Sequence, residues 1–131
     1  MRIGRIGSFG EDKATASLQD NHYQIIQRNF QRKWGKINII AKDKKTKEIV
    51  FVGGKTRQLN YDYSLNPEEV LTSKNVRRLK RAFLSYLSQY NLEDNPWRFD
   101  FIAIEIDNFS KKPIIRHYED IFLEFKIEFT L

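Results

Sequence analysis

The stretch Val50–Arg57, "VFVGGKTR", begins as an apolar β-strand and then places two glycines where a strand usually packs side chains. Glycine inside a strand loses backbone entropy on folding and contributes no packing. It therefore usually marks a bulge or a place that another backbone or a ligand approaches closely. The pair, Gly53 and Gly54, stands directly before Lys55. The question that it raises is which side chains this strand lacks.

The N-terminal half of the chain predicts one helix followed by three strands. A helix is expected over Ser8–Asp20, with Ser8 as N-cap and Glu11, three residues further on, completing a capping box. Apolar, strand-like segments follow at residues 23–30, 36–43 and 48–55, joined by a turn at 31–35 and a charged hairpin turn at 44–48. Three adjacent strands after one helix favour a meander whose central strands are covered.

The C-terminal half predicts a loop, a second helix and two more strands. Residues 57–69 are polar and contain Pro67, which indicates a long loop. Apolar residues then recur at three- and four-residue steps over 74–90, the period of an amphipathic helix: Val76, Leu79, Phe83, Leu87 and Tyr90. Residues 97–106 and 113–119 read as strands around a turn, and the tail 123–131 alternates strictly, so we expect a further strand there.

The amino-acid composition limits the classes of protein to which the chain can belong. The chain has 131 residues, of which 40% are hydrophobic and 14% aromatic, enough for one ordinary domain. It has no cysteine, no apolar run long enough to span a bilayer and no apolar N-terminal signal segment, so we expect a cytoplasmic protein without membrane contact. A net charge of +6 favours an anionic partner without identifying it, and a merely soluble basic domain stays open.

Six segments follow one another in an order that is known from one family: "GSFGEDKATASL", "NFQRKWGKINIIAKD", "IVFVGGKTR", "SKNVRRLKRAFLSYL", "WRFDFIAIEI" and "IRHYEDIF". The chain thereby resembles the YraN family, bacterial proteins similar to Holliday-junction resolvases within the PD-(D/E)XK restriction-endonuclease-like group. The resemblance implies an α/β fold with a restriction-endonuclease-like core, a central mixed sheet of about five strands flanked by helices. It implies one endonuclease-like domain over residues 1–122, with 123–131 as a strand-like extension.

The resemblance also implies where metal-binding acids would stand. The family's first-helix glutamate is matched by Glu11. Its Gly-Glu-Ile-Asp motif is matched by "GKIN", so Lys36 and Asn38 replace two acids, and its Val-Glu-Val-Lys motif is matched by "VGGK", so Gly53 replaces a glutamate while Lys55 remains. Phosphodiester hydrolysis at such a site needs Mg²⁺ or Mn²⁺ held by carboxylates. Glu11 and Lys55 are then remnants of a catalytic set, and we expect no metal or other cofactor.

A site that has lost its acids can accept a phosphate directly. With acids at positions 36, 38 and 53 the net charge would be about +2 instead of +6. The expected partner is therefore a nucleic acid, DNA and branched DNA included, held by salt-dependent backbone contacts. The candidate binding residues are Lys36, Lys55, Arg57, Lys74, Arg77, Arg78 and Arg81.

Less specific interpretations stand beside these. The basic helix face is also what a solvated surface looks like, and Glu11 is also explained by the capping box. Trp34 and Tyr61 are candidates for base stacking or for the edge of a core, and both histidines, His22 and His117, are expected to be structural.

Three functions follow from these alternatives. The first is a nucleic-acid-binding protein of nuclease fold with a disabled metal site, in which Arg98 and Asp100, two residues apart on one strand, are expected to form a structural ion pair. The second is a working metal-dependent, junction-resolvase-like endonuclease that uses other acids, although the spacing of Asp43, Glu48 and Asp100 does not show them converging. The third is an assembly role, in which the tail pairs with another strand; a homodimer is left open.

Overall fold

A computed structural model describes residues 7–33, 35–58, 72–107 and 112–121. The helices are α1, Gly7–Asp20, and α2, Ser73–Gln89. The strands are β1, Tyr23–Arg32, β2, Gly35–Asp43, β3, Ile49–Gln58, β4, Trp97–Ile106, and β5, Pro113–Tyr118. The order of one helix, three strands, one helix and two strands is the predicted one, and the bounds of β4 agree residue for residue.

The strands form one mixed sheet in the order β1-β2-β3-β4-β5. β1 with β2, β2 with β3, and β4 with β5 pair antiparallel, whereas β3 and β4 pair parallel. Parallel neighbours need a long crossover connection, and α2 lies in that connection. The first three strands form the predicted meander, and the carboxyl ends of β3 and β4 lie at the same end of the sheet.

Each helix covers one face of the sheet. α2 buries Val76, Leu79, Ala82, Phe83, Tyr86 and Leu87 against strand residues that include Phe51, Phe99 and Phe101. The rings of Phe51 and Phe83 stack there with centroids 4.3 Å apart. α1 buries Ala14 and Leu18 against Ile39, Val50, Val52, Ile102 and Ile104 on the other face. The sheet alternation therefore sorts its apolar side chains into two separate cores, as strand geometry requires.

Local hydrogen bonds set the ends of the elements. Thr72 caps α2, because its side chain accepts a hydrogen bond from the Asn75 amide at 3.3 Å. In the β2–β3 turn, Asp43 Oδ1 accepts from the amide of Lys45 at 2.9 Å, and Lys47 adopts a left-handed φ of 69°. An Asp that bonds the backbone two residues further on is a common way to begin a tight turn.

Two details of the sequence expectation are wrong, and two further predictions are not covered by the described residues. α1 begins at Gly7, so Ser8 lies within the helix and is not its N-cap. Tyr90 follows α2 and is 45% exposed, whereas Tyr86 takes the buried position. The tail 123–131 and most of the 57–69 loop lie outside the described residues. Neither described helix is long and apolar enough to cross a membrane.

Candidate functional site

The sheet divides at the place where the glycine pair stands. β2 and β3 pair from Ile39↔Val52 to Lys42↔Ile49. Both strands continue beyond this ladder, β2 back to Gly35 and β3 on to Gln58, and β3 stays paired with β4 along its whole length. Within the described strands, β2 and β3 therefore separate, and we call residues 35–38 and 53–58 the fork.

The mouth of the fork lies where β1 and β2 both change the direction of their side chains. Along β1, Arg28 reaches acids of α1, whereas Phe30 packs in the core beneath α2. Along β2, Ile39 packs on the α1 side and Ile37 on the α2 side. Residues two apart normally share a face, so both strands bend at the intervening residue.

Glu11 reaches the fork end of β1 from α1, and two neighbours occupy its carboxylate. Its Oε1 accepts a hydrogen bond from Arg28 Nε at 2.6 Å and another from Asn29 Nδ2 at 3.0 Å, and the residue is only 4% exposed. Arg28 also donates to Asp12 at 2.8 Å. The hydrogen bond with Asp12, and then that with Glu11, raises the pKa of Arg28 above its ordinary value. The Glu11 carboxylate is thus neutralised by an arginine.

Gly53 lies on the face that α2 covers. A Cβ atom at this position would lie 3.2 Å from Cε1 and Cζ of Phe99 and 3.9 Å from Cδ1 of Phe101, and both rings belong to the core beneath α2. The missing side chain therefore lets the aromatic layer close on the backbone. Lys55 follows two residues later, so it points to the same face, and it is half-buried.

The residues at the fork do not fit a divalent metal. Mg²⁺ prefers oxygen ligands, with charge supplied by one or more carboxylates. Here the carboxylate of Glu11 is held by Arg28 and Asn29, Asn38 is neutral, and Gly53 has no side chain. Across the described parts of the chain, no three acidic or imidazole side chains form a group that could hold a metal ion. No chemical step can be derived through a metal at the fork.

Three other acids do converge, on one arginine. Arg98 Nη1 lies 3.0 Å from Asp43 Oδ2 and 2.8 Å from Glu48 Oε1, and Arg98 Nε lies 3.0 Å from Asp100 Oδ1. Arg98 Nη2 also donates to the Tyr23 hydroxyl at 2.6 Å. The predicted Arg98–Asp100 ion pair is confirmed, and the fold brings together Asp43, Glu48 and Asp100, whose convergence their spacing in the sequence did not show. We call Tyr23, Asp43, Glu48, Arg98, Asp100 and His117 the Arg98 cluster.

The Arg98 cluster is internally satisfied. Asp100 is fully buried, and it also interacts with His117 Nε2 at 2.7 Å and accepts from the Asp120 amide at 3.0 Å. Burial alone would raise the pKa of Asp100, but the hydrogen bonds from His117, Arg98 and Asp120 outweigh it and lower the pKa. The structural role expected for His117 is confirmed. A cation other than Arg98 would have to displace its guanidinium.

Charge is divided between the two ends of the sheet. At the fork end the described cations outnumber the acids Glu11, Asp12, Glu105 and Asp107; they are Arg32, Lys33, Lys36, Lys55, Arg57, Lys74, Arg77, Arg78, Lys112 and Arg116. At the other end acids prevail over four lysines and Arg98, and they are Asp20, Asp43, Glu48, Glu93, Asp94, Asp100, Glu119 and Asp120. Among the described residues, positive charge is therefore concentrated at the fork end of the sheet.

The predicted binding residues lie on β2, β3 and α2. Lys36 and Arg57 are half-buried on β2 and β3. On α2, Lys74, Arg77 and Arg81 are exposed and Arg78 is half-buried. The N-terminal part of α2 lies beside β2, since a Cβ at Gly35 would be 3.8 Å from the Arg78 carbonyl oxygen. Trp34 and Tyr61 lie outside the described residues.

The mixed five-stranded sheet between two helices is a nuclease-like core, as expected. A family model described as "Uncharacterised protein family UPF0102" matches residues 10–104. A UPF0102 protein of Pelobacter propionicus is 38% identical over 103 residues, covering 78% of this chain and 71% of the relative. One of Geotalea daltonii is 38% identical over 117 residues, covering 89% of this chain and 88% of the relative. The chain belongs to the UPF0102 family, also called YraN, and the nuclease-like fold is general to that family.

Proposed function

We propose that this protein binds the backbone of nucleic acids, DNA in particular, on a nuclease fold whose metal site is disabled. One observation carries the proposal: at the fork, Glu11 is neutralised by Arg28, while Asn38 and Gly53 supply no charge. Without a bound divalent ion, the enzyme class has neither an activated water nor a cation to offset the charge of the scissile phosphate.

The electrostatics of the fork favour retention of binding. Lys36 and Lys55 lie on the two strands of the fork, and the residues at positions 38 and 53 present no carboxylate that would compete with a phosphate for them. The basic side chains of α2 and of the fork lie at the same end of the sheet. Contacts of this type give affinity that depends on salt and little on sequence. Duplex and branched DNA are therefore both candidate ligands.

The alternative of an active nuclease needs acids that the fork does not supply. Asp43, Glu48 and Asp100 are the only other acids that the described residues bring together in this way, and Arg98 contacts each of them within 3.0 Å. Breaking such a buried pair leaves an uncompensated charge and costs about 3–5 kcal/mol. The described acids therefore favour binding over cleavage.

The test compares binding and cleavage by three forms of the chain. These are the wild type, the triple variant Lys36→Glu, Asn38→Asp and Gly53→Glu, and a charge control, Lys44→Glu with Lys47→Glu, which removes as much positive charge from the exposed β2–β3 turn. Each is titrated with fluorescent duplex and four-way-junction DNA at low salt, then incubated with Mg²⁺ or Mn²⁺. A thermal melt of each form is needed, because a side chain at position 53 crowds Phe99.

We expect the wild type and the charge control to bind both DNAs without cutting them, with the control weaker only by its lost charge. Cleavage restricted to the triple variant supports the proposal most strongly. Metal-dependent cleavage by the wild type would overturn it in favour of the active nuclease. Absence of binding at low salt would also overturn it, and would leave the assembly role, including a homodimer, as the function to pursue.

A further inference from the structure

We propose that Arg116, held in place by the buried carboxylate of Glu105, contacts the nucleic-acid backbone at the fork end of the sheet. This inference rests on the proposed function and extends the binding surface to β5, a strand from which the sequence suggested no binding residue. Glu105 is assigned as a positioning residue that acts through Arg116.

Glu105 is an acid in an apolar row. Phe99, Phe101 and Ala103 precede it at two-residue steps along β4, and all three belong to the core beneath α2. Glu105 therefore points to the same face, and its side chain is fully buried. Its carboxylate forms an ion pair with Nη1 of Arg116 on the neighbouring strand. An apolar residue at this position would continue the pattern, so packing does not explain why a glutamate stands there.

A gain in stability does not by itself explain the buried acid at position 105. Burying an ion pair costs solvation of both charges, and well-packed apolar residues often stabilise a protein equally well or better. What a buried carboxylate does provide is a fixed direction for its partner. A guanidinium has five N–H donors in a rigid plane, and the Arg116 side chain is 39% exposed. With Nη1 buried against Glu105, the guanidinium retains the N–H donors of Nε and Nη2 for a phosphate oxygen.

The sheet places Arg116 in line with a residue already proposed to bind. Ala103 of β4 pairs with Lys55 of β3 on one side and with Arg116 of β5 on the other. Paired residues on adjacent strands share a face, and two strand spacings separate the outer backbones by about 10 Å. Ala103 is buried in the core beneath α2, so the row has a buried residue at its centre and a cation at each end. Two cations so arranged suit successive charges of an extended polyanion.

A double-mutant cycle separates positioning from simple neutralisation. Arg116→Ala, Glu105→Gln and the double variant are titrated with the same fluorescent duplex over a series of salt concentrations, with Lys44→Ala at the opposite end of the sheet as control. We expect Arg116→Ala to weaken binding about fivefold to tenfold and to reduce the salt slope by about one. Glu105→Gln should weaken binding when Arg116 is present and should have no effect in the R116A background.

Each result decides one of the claims. If the wild type does not bind, the proposed function fails. If it binds and Arg116→Ala behaves like Lys44→Ala, only the present inference fails. If Glu105→Gln tightens binding in both backgrounds, the carboxylate merely repels DNA and does not position the arginine. Should Glu105→Gln not fold, Arg116→Lys replaces it: affinity equal to that of the wild type would contradict a role for the oriented guanidinium.

Discussion

At the scale of single residues, the absence of a side chain at position 53 has two effects. It removes a carboxylate from the fork, and it lets the Phe99 ring approach the backbone of β3. From the sequence, only the family resemblance indicated that Gly53 replaces an acid. The approach of Phe99 was not readable, because it depends on the parallel pairing of β3 with β4.

We expect Gly53→Ala to destabilise the fold by about 1 kcal/mol, since the added methyl would have to displace the Phe99 ring by a few tenths of an ångström. Urea unfolding measures the effect. Gly35→Ala is the matched control, because its Cβ would meet only the Arg78 carbonyl oxygen at an ordinary 3.8 Å. Equal stability of the two variants would show that the aromatic layer is not closed over position 53.

Arg98 contrasts with Gly53, because its side chain supplies the positive charge that neutralises the acids around it. Arg98→Met should lower the free energy of unfolding by about 3–5 kcal/mol, since it leaves Asp43 and Asp100 buried without their cation. Denaturant titration measures the loss. Lys44→Met on the exposed turn serves as control and should change stability by less than about 0.5 kcal/mol. A small effect of Arg98→Met would mean that the cluster is not structural.

At the scale of elements, alternation and helical periodicity were sufficient to predict both helices and all five described strands. What the local pattern does not contain is which strands meet. Asp43 ends β2, Glu48 precedes β3 and Asp100 lies within β4, so their convergence on Arg98 depends on the hairpin and on the β3–β4 register. The fork likewise follows from where the β2–β3 ladder stops, which no spacing in the sequence records.

The Arg98 cluster predicts how the joined elements respond to acid. Burial raises the pKa of Asp43, but hydrogen bonds from the Lys45 amide, Arg98 and the Thr46 amide together lower it below the ordinary value, and the pKa of Asp100 is also lowered. An acid whose pKa is lower in the folded state stabilises the fold above its unfolded pKa, about 3.9 for Asp, and loses that effect as pH falls further.

We therefore expect the stability of the wild type to fall as the pH is lowered from about 5 to 3. Thermal unfolding at a series of pH values measures this dependence. Asp100→Asn should be less stable at neutral pH and should lose less stability on acidification, because one of the two linked protonations is absent. A pH dependence identical to that of the wild type would show that Asp100 does not contribute to it.

At the scale of the whole molecule, charge and fold point to the same surface. The net charge of +6 was known from the sequence, but its concentration at the fork end required the topology that brings the α2 N-terminus, β3 and β5 together. Most of the basic residues there were predicted from the sequence as candidate binding residues. Arg116 was not, since one arginine in an apolar strand gives no signal by itself. Its pairing with Glu105 becomes visible only across the β4–β5 ladder.

The central claim is that phosphate binding at the fork needs no divalent ion. The most direct measurement is the anisotropy of a fluorescent four-way junction titrated with the wild-type protein in EDTA and again in Mg²⁺ at matched ionic strength, followed by electrophoresis of the DNA. We expect the same dissociation constant in both solutions and intact DNA. Binding that appears only with Mg²⁺, or DNA that is cut when Mg²⁺ is present, would contradict it.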